Sequence, residues 1–130
     1  MSRGLLDTSV FIAREGRALD TASIPDEVSV SVVTYAELRA GVLAAKELTV
    51  RSRRLTTLQT VADLQPLPID TGVADEWAQL RLLLAEAGRR VNVNDTWIAA
   101  TALAHGVPVV SQDHDYATLA DISGLEVIAV

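Results

Sequence analysis

The chain has 130 residues, 49% of them hydrophobic, and its formal net charge is −6. The length and the hydrophobic content suit one domain with an ample core. The negative net charge excludes affinity for nucleic acid through bulk charge, so a local basic patch or metal ions would have to supply such affinity. Cysteine is absent, which excludes disulfides and thiolate metal sites and suits a cytoplasmic protein; neither a membrane span nor a signal peptide is predicted.

Short strands and helices are predicted to alternate through the first half of the chain. In chain order, the predictions are a strand at 5–6, a helix start at 8–13, a loop over 14–26, a strand at 28–33, helices over 34–45 and 48–61, and at best an edge strand at 64–69. Residues 64–69 are predicted to form no more than an edge strand because the two prolines have no backbone N–H to donate to a neighbouring strand.

The second half of the chain continues this alternation. A long amphipathic helix is predicted over 71–87 and ends at Gly88, and a helix of small residues over 94–105 is closed by Gly106. Strands are predicted at 107–110 and 126–130. Strands that alternate with helices predict an α/β fold with a parallel sheet covered on both faces.

Five carboxylates are predicted to lie where strands end or helices begin: Asp7, Glu37, Asp95, Asp113 and Asp115. Each has an ordinary explanation by itself. Asp7 could cap the next helix, and Glu37 completes a capping box that starts at Thr34. The dipole of a helix favours Asp95 in its first turn, and the two remaining acids could belong to a polar turn.

Together, these acids indicate a metal site. Asp7 and Asp113 follow buried strands, so both should lie at the carboxyl edge of the sheet, where α/β proteins bind ligands. Helices that start at this edge would bring Glu37 and Asp95 to the same point. Because converging carboxylates repel each other, a cation is needed, and ligands that are all oxygen favour Mg²⁺ or Mn²⁺ over zinc.

Four segments carry a family resemblance: "LLDTSVFI" from residue 5, "TYAEL" from 34, "NDTWIAATAL" from 94 and "VVSQDHDY" from 109. In order and spacing they resemble the acidic blocks of PIN-domain nucleases, and the small size of the chain is most similar to VapC-type toxins. The resemblance implies a three-layer α/β/α sandwich with a mostly parallel sheet, and a single nuclease domain over 1–130.

The same resemblance implies a set of site residues. Metal ligands would be Asp7, Glu37, Asp95 and Asp113, with Thr8, Ser111 and Asp115 close to the site. Tyr116 stands where the family usually has Phe, so the aromatic ring is kept. The implied activity is Mg²⁺-dependent cleavage of RNA, with Mn²⁺ as a substitute, by a toxin that inhibits translation and growth. The implied partners are a VapB-type antitoxin with a basic tail and a second copy of the chain.

Two other classes of function remain open at this point. A receiver-type phosphoacceptor would need a lysine late in the chain, whereas the single lysine is Lys46. An inactive PIN fold used as a binding module would be expected to lack one or two of the acids. No motif encodes the RNA target, the number of metal ions, or the roles of Arg39, His114 and the arginines at 51, 53, 54, 89 and 90.

Overall fold

A four-stranded parallel sheet forms the centre of the computed structural model, which describes residues 2–14 and 21–130. Its strands are β1 (Arg3–Leu6), β2 (Glu27–Ser29), β3 (Val109–Ser111) and β4 (Val127–Ala129). They lie in the order β2-β1-β3-β4, with Leu5 paired to both Ser29 and Val109. The chain passes from β1 to β2 on one side, and from β2 it crosses β1 to reach β3 on the other side, so the order of the strands switches between β1 and β3.

Six helices connect and cover these strands. They are α1 (Thr8–Arg14), α2 (Val32–Ala44), α3 (Leu48–Asp63), α4 (Thr71–Ala87), α5 (Val93–His105) and α6 (Tyr116–Ile122), with a short 3₁₀ turn at Thr21–Ser23. Side-chain caps set where several of them begin. Asp70 accepts a hydrogen bond from the backbone N–H of Val73 at 3.0 Å, and Asn92 accepts one from Asn94 at 2.8 Å.

Two hydrophobic clusters lie on the two faces of the sheet. Leu5 and Val109 belong to the cluster that contains α4, α5 and α6 residues, whereas Leu6 and Val110 belong to the cluster with α1 and α3 residues. Successive residues of a strand point to opposite faces, so β1 and β3 each contribute to both clusters. The fold is therefore the three-layer α/β/α sandwich with a parallel sheet that the sequence predicted.

The bounds of most elements agree with the prediction, and α4 agrees at both ends. The strand predicted at 28–33 is too long, because Ser31 accepts a hydrogen bond from the N–H of Val33 and α2 starts at Val32. Residues 64–69 form a single bridge between Leu67 and Ser31 rather than a strand. The sequence did not predict α6. Part of the loop predicted over 14–26 lies outside the described residues.

No helix within the described ranges is both long and apolar enough to cross a membrane.

Candidate active site

The predicted acids converge at the carboxyl ends of β1 and β3. Asp7 directly follows β1, and Asp113 lies two residues beyond β3. Asp95 lies in the first turn of α5, and Glu37 lies in α2. The neighbouring strands β1 and β3 flank the point at which the strand order switches, which is the usual position of a ligand site in such sheets.

Asp7 is the most deeply buried acid of this group, with only 3% of its surface exposed. Its carboxylate accepts hydrogen bonds from the Tyr116 hydroxyl at 2.8 Å, from Ser111 Oγ at 2.9 Å and from the Ser9 N–H at 3.3 Å. Its backbone carbonyl also accepts from the N–H of Val10. These donors offset the cost of burying a charge, and the last two also fix the start of α1.

Ser111 and Ser9 connect the ends of β1 and β3. Ser111 Oγ donates to Asp7 and accepts from the N–H of Asp113 at 2.8 Å. Ser9 Oγ lies 3.2 Å from Ser111 Oγ and accepts from the N–H of Gln112 at 3.0 Å. The two hydroxyls therefore fix the turn that carries Asp113 relative to the strand that carries Asp7.

Glu37 is held from α1 by Thr8, whose Oγ1 donates to Glu37 Oε1 at 2.7 Å. The same hydroxyl lies 3.0 Å from Thr34 Oγ1. The capping-box explanation is wrong, because the cap of α2 is Ser31 and Thr34 lies inside the helix. Glu37 is thus directed toward the site rather than back to its own helix.

Three further carboxylates come close enough to share one ion. Oxygens of Asp95, Asp113 and Asp115 all lie within 4.8 Å of one another. Asp115 occupies the N-cap position of α6, but its side chain makes no capping hydrogen bond. Its backbone N–H donates to the Asp113 carboxylate at 2.9 Å. The sequence had placed Asp115 only near the site, whereas the structure places it in this cluster.

Electrostatics distinguish Asp95 from the other acids. Burial, together with the charges of Asp7, Asp113 and Glu37, raises the pKa of its carboxyl from 3.8 to about 7. The hydrogen bond from Tyr116 acts in the opposite direction. Burial and the charges of Asp7 and Asp95 raise the pKa of Tyr116, so its hydroxyl stays protonated and acts as a donor. A divalent cation would relieve the repulsion that holds a proton on Asp95.

The donor set fits a hard divalent cation. It consists of carboxylate oxygens from two strand ends and two helices, with hydroxyls of Thr8, Ser111 and Tyr116 behind them. Oxygen ligands of this kind suit Mg²⁺ or Mn²⁺. No histidine or cysteine belongs to the cluster found among the described residues.

Two of these contributors were missed at the sequence level. Ser9 follows Asp7 by two residues, and the run Asp-Thr-Ser was the available signal. Tyr116 was seen only as an aromatic ring, and its hydroxyl contacts Asp7 and Asp95 from α6, a helix that was not predicted.

The tryptophans and several arginines lie in ordinary contacts. The rings of Trp77 and Trp97 stack 4.6 Å apart beside the first cluster, with Arg81 over Trp77. Arg89 pairs with Asp121 at 3.3 Å. Arg54 donates to the Gly41 carbonyl at 2.7 Å and lines a cavity of about 280 Å³ together with Thr8 and Glu37.

Known proteins resemble this chain over nearly its full length. The family model described as PIN domain matches residues 4–122. Ribonuclease VapC5 from Mycobacterium tuberculosis is 56% identical over 128 residues, which are 98% of this chain and 95% of the relative. Ribonuclease VapC4 from the same organism is 46% identical over 98% and 97% of the two chains.

A solved structure extends the similarity to three dimensions. The crystal structure of VapBC-5, a member of the VapBC family of toxin-antitoxin systems from Mycobacterium tuberculosis, superposes with a TM-score of 0.92. The two chains share 52% identity, and the match covers 100% of each.

Proposed function

This chain belongs to the PIN-domain family, and we propose that it is a metal-dependent endoribonuclease that acts as the toxin of a toxin–antitoxin pair. The observation that carries the proposal is the meeting of Asp7, Asp95 and Asp113 at the switch point of a parallel sheet, with Glu37 close enough to raise the pKa of Asp95. Relatives of the same length that are named ribonucleases support the reaction class. Cleavage of RNA would inhibit translation and growth.

The proposed metal ligands are Asp7, Glu37, Asp95 and Asp113, and Mg²⁺ is the proposed ion, with Mn²⁺ as a substitute. Asp115 is added as a fifth carboxylate because its oxygens lie with those of Asp95 and Asp113. A bound Mg²⁺ supplies a polarised water and stabilises charge on a phosphate.

The surrounding side chains have distinct tasks in this proposal. Thr8 directs Glu37, and Ser111 fixes Asp7 relative to the turn at Asp113. The negative charges of the acids repel the phosphate of an RNA, so RNA would bind productively only when the divalent ion neutralises this repulsion.

The proposed protein partner is a VapB-type antitoxin with a basic tail. The crystal structure described above belongs to a toxin–antitoxin system, which supports a partner of this kind. The net charge of −6 and the cluster of carboxylates suit arginines, whose guanidinium groups bind carboxylates in a bidentate manner. A homodimer, a single nuclease domain over 1–130 and a cytoplasmic place of action complete the proposal.

The test is an RNA-cleavage assay with matched metal and protein controls. Mg²⁺ should support internal cleavage of an RNA but not of its 2′-deoxy counterpart, EDTA should stop it, and added Mn²⁺ should restore it. Asp95→Asn and Asp113→Asn should each abolish cleavage, whereas Asp75→Asn, at an exposed position of α4, should not. Cleavage that survives EDTA or either site substitution would overturn the metal assignment. A wild-type chain that binds Mn²⁺ but leaves RNA intact would favour a binding module.

A further inference from the structure

Among the described residues, Tyr116 is the one aromatic residue whose polar atom contacts two of the proposed ligands. Its side chain is fully buried and belongs to the core cluster that also contains Leu5, Ile98 and Leu119. Its hydroxyl lies 2.8 Å from Asp7 Oδ1 and 3.3 Å from Asp95 Oδ1. The core therefore fixes the ring, and the ring fixes the position of its hydroxyl.

This hydroxyl joins two acids that approach from different elements. Asp7 reaches it from the end of β1, and Asp95 reaches it from the first turn of α5. Ser111 and Ser9 also hold Asp7 through its other oxygen, Oδ2. Within residues 2–14 and 21–130, Tyr116 is the only side chain that hydrogen-bonds to the Asp95 carboxylate. A phenylalanine would fill the same space and leave Asp95 without this contact.

We propose that the Tyr116 hydroxyl is a positioning group that ties Asp7 to Asp95 and orients both carboxylates for a divalent cation. The inference rests on the metal site of the proposed function and adds a residue to it. A phenol provides one proton, so the hydroxyl donates to one carboxylate at a time while its oxygen stays beside the other. Groups that orient ligands in this way commonly contribute 10- to 100-fold to metal affinity.

The first experiment compares Tyr116→Phe with Tyr35→Phe and the wild type. Tyr35 is the other tyrosine of the sequence, and it packs beside the second core cluster, so it is a matched control for the loss of one phenolic hydroxyl. Mn²⁺ is titrated while the thermal midpoint is followed, because a ligand that binds the native state raises it. The dissociation constant for Mn²⁺ should rise about 10-fold in Tyr116→Phe and stay unchanged in Tyr35→Phe.

RNA cleavage by the same variants separates positioning from general damage. If Tyr116 positions ligands, the cleavage rate of Tyr116→Phe should return toward the wild-type rate as Mg²⁺ is raised to saturation. A purely structural role would lower the midpoint in EDTA while the Mn²⁺ constant stays the same, and this result would overturn the proposal. Equal or tighter Mn²⁺ binding by Tyr116→Phe would also overturn it.

A second measurement does not require Tyr116→Phe to fold. In Tyr35→Phe, Tyr116 is the sole tyrosine, so tyrosine labelled with ¹³C at Cζ gives one NMR signal. Mg²⁺ should shift this signal along the same saturation curve as the thermal midpoint. A signal that stays fixed while Mg²⁺ binds would refute the role of Tyr116. A wild-type chain that binds neither ion would refute the metal site itself, so the two failures are distinguishable.

Discussion

Asp95→Asn should stabilise the metal-free protein while it abolishes cleavage. Burial and the charges of Asp7, Asp113 and Glu37 raise the pKa of Asp95 to about 7 from 3.8. Between these two pH values the native state holds a proton that the unfolded chain has lost. The contribution of Asp95 to stability is therefore fully present below about pH 4 and is lost as pH rises to about 7.

The size of the effect follows from this shift. One pKa unit corresponds to about 1.4 kcal/mol, so the rise of Asp95 sets an upper bound of about 4 kcal/mol. Because Asp95 is partly exposed, solvent and salt screen the repulsion, and we expect about 1–2 kcal/mol. At about 2.1 cal/mol/K per residue, unfolding 130 residues changes the entropy by about 0.27 kcal/mol/K. The melting temperature of Asp95→Asn should thus rise by about 4–7 °C at pH 7.5.

Melting curves in EDTA at pH 4 and pH 7.5 measure this prediction. Asp75→Asn changes the net charge equally at an exposed position and serves as the control. The gain of Asp95→Asn over this control should be present at pH 7.5 and absent at pH 4. Added Mn²⁺ should stabilise the wild type and Asp75→Asn but not Asp95→Asn. If Asp95→Asn melts with the control at both pH values, the electrostatic account of the site is refuted.

Three further predictions concern neighbouring parts of the site. Asp7→Asn should lower the free energy of unfolding by about 1–3 kcal/mol, because an amide has one oxygen and cannot accept hydrogen bonds from both Tyr116 and Ser111. Denaturant titration measures this change, and unchanged stability would contradict the prediction. Arg54→Ala should weaken RNA binding and reduce the slope of log affinity against log salt concentration by about 0.7, because Arg54 lines the cavity beside Glu37. Arg53→Ala, at an exposed position, should change the affinity little, and equal effects of the two substitutions would count against a phosphate contact at Arg54. Arginine-to-alanine changes in the antitoxin tail should restore cleavage more than they weaken the complex, and full inhibition by an arginine-free tail would refute blockage of the acids.

The features that could be predicted from sequence were those set by local patterns. The apolar spacing of Val73, Leu80 and Leu84 predicted the helix α4, and Gly88 predicted where it ends. The run over 28–33 was misjudged because β-branched residues suit a strand, whereas one hydroxyl, on Ser31, starts a helix there. α6 was missed because its seven residues give a short apolar pattern after a polar turn, and tertiary packing around Tyr116 and Leu119 stabilises it.

Within the site, the type of residue was predictable and the environment of each residue was not. Asp7 and Asp95 were given the same role from sequence, yet they are stabilised in different ways. Asp7 has hydroxyl and backbone donors that offset its burial, whereas burial and the neighbouring acids leave Asp95 with a raised pKa. The side-chain donors Ser111 and Tyr116 lie 104 and 109 residues from Asp7, at the end of β3 and in α6, so a linear pattern does not reveal them.

This difference explains how the proposed metal site could be stable without an ion and still bind one. If every acid were fully satisfied by protein donors, as Asp7 is, a cation would gain little by replacing them. If the charge of every acid were disfavoured by burial and by neighbouring charges, as that of Asp95 is, the metal-free fold would lose stability through several repulsive contacts at once. The arrangement combines one acid that the fold holds in place with another whose charge the fold disfavours. Tyr116 touches both acids, so the two kinds of carboxylate meet at a single hydroxyl.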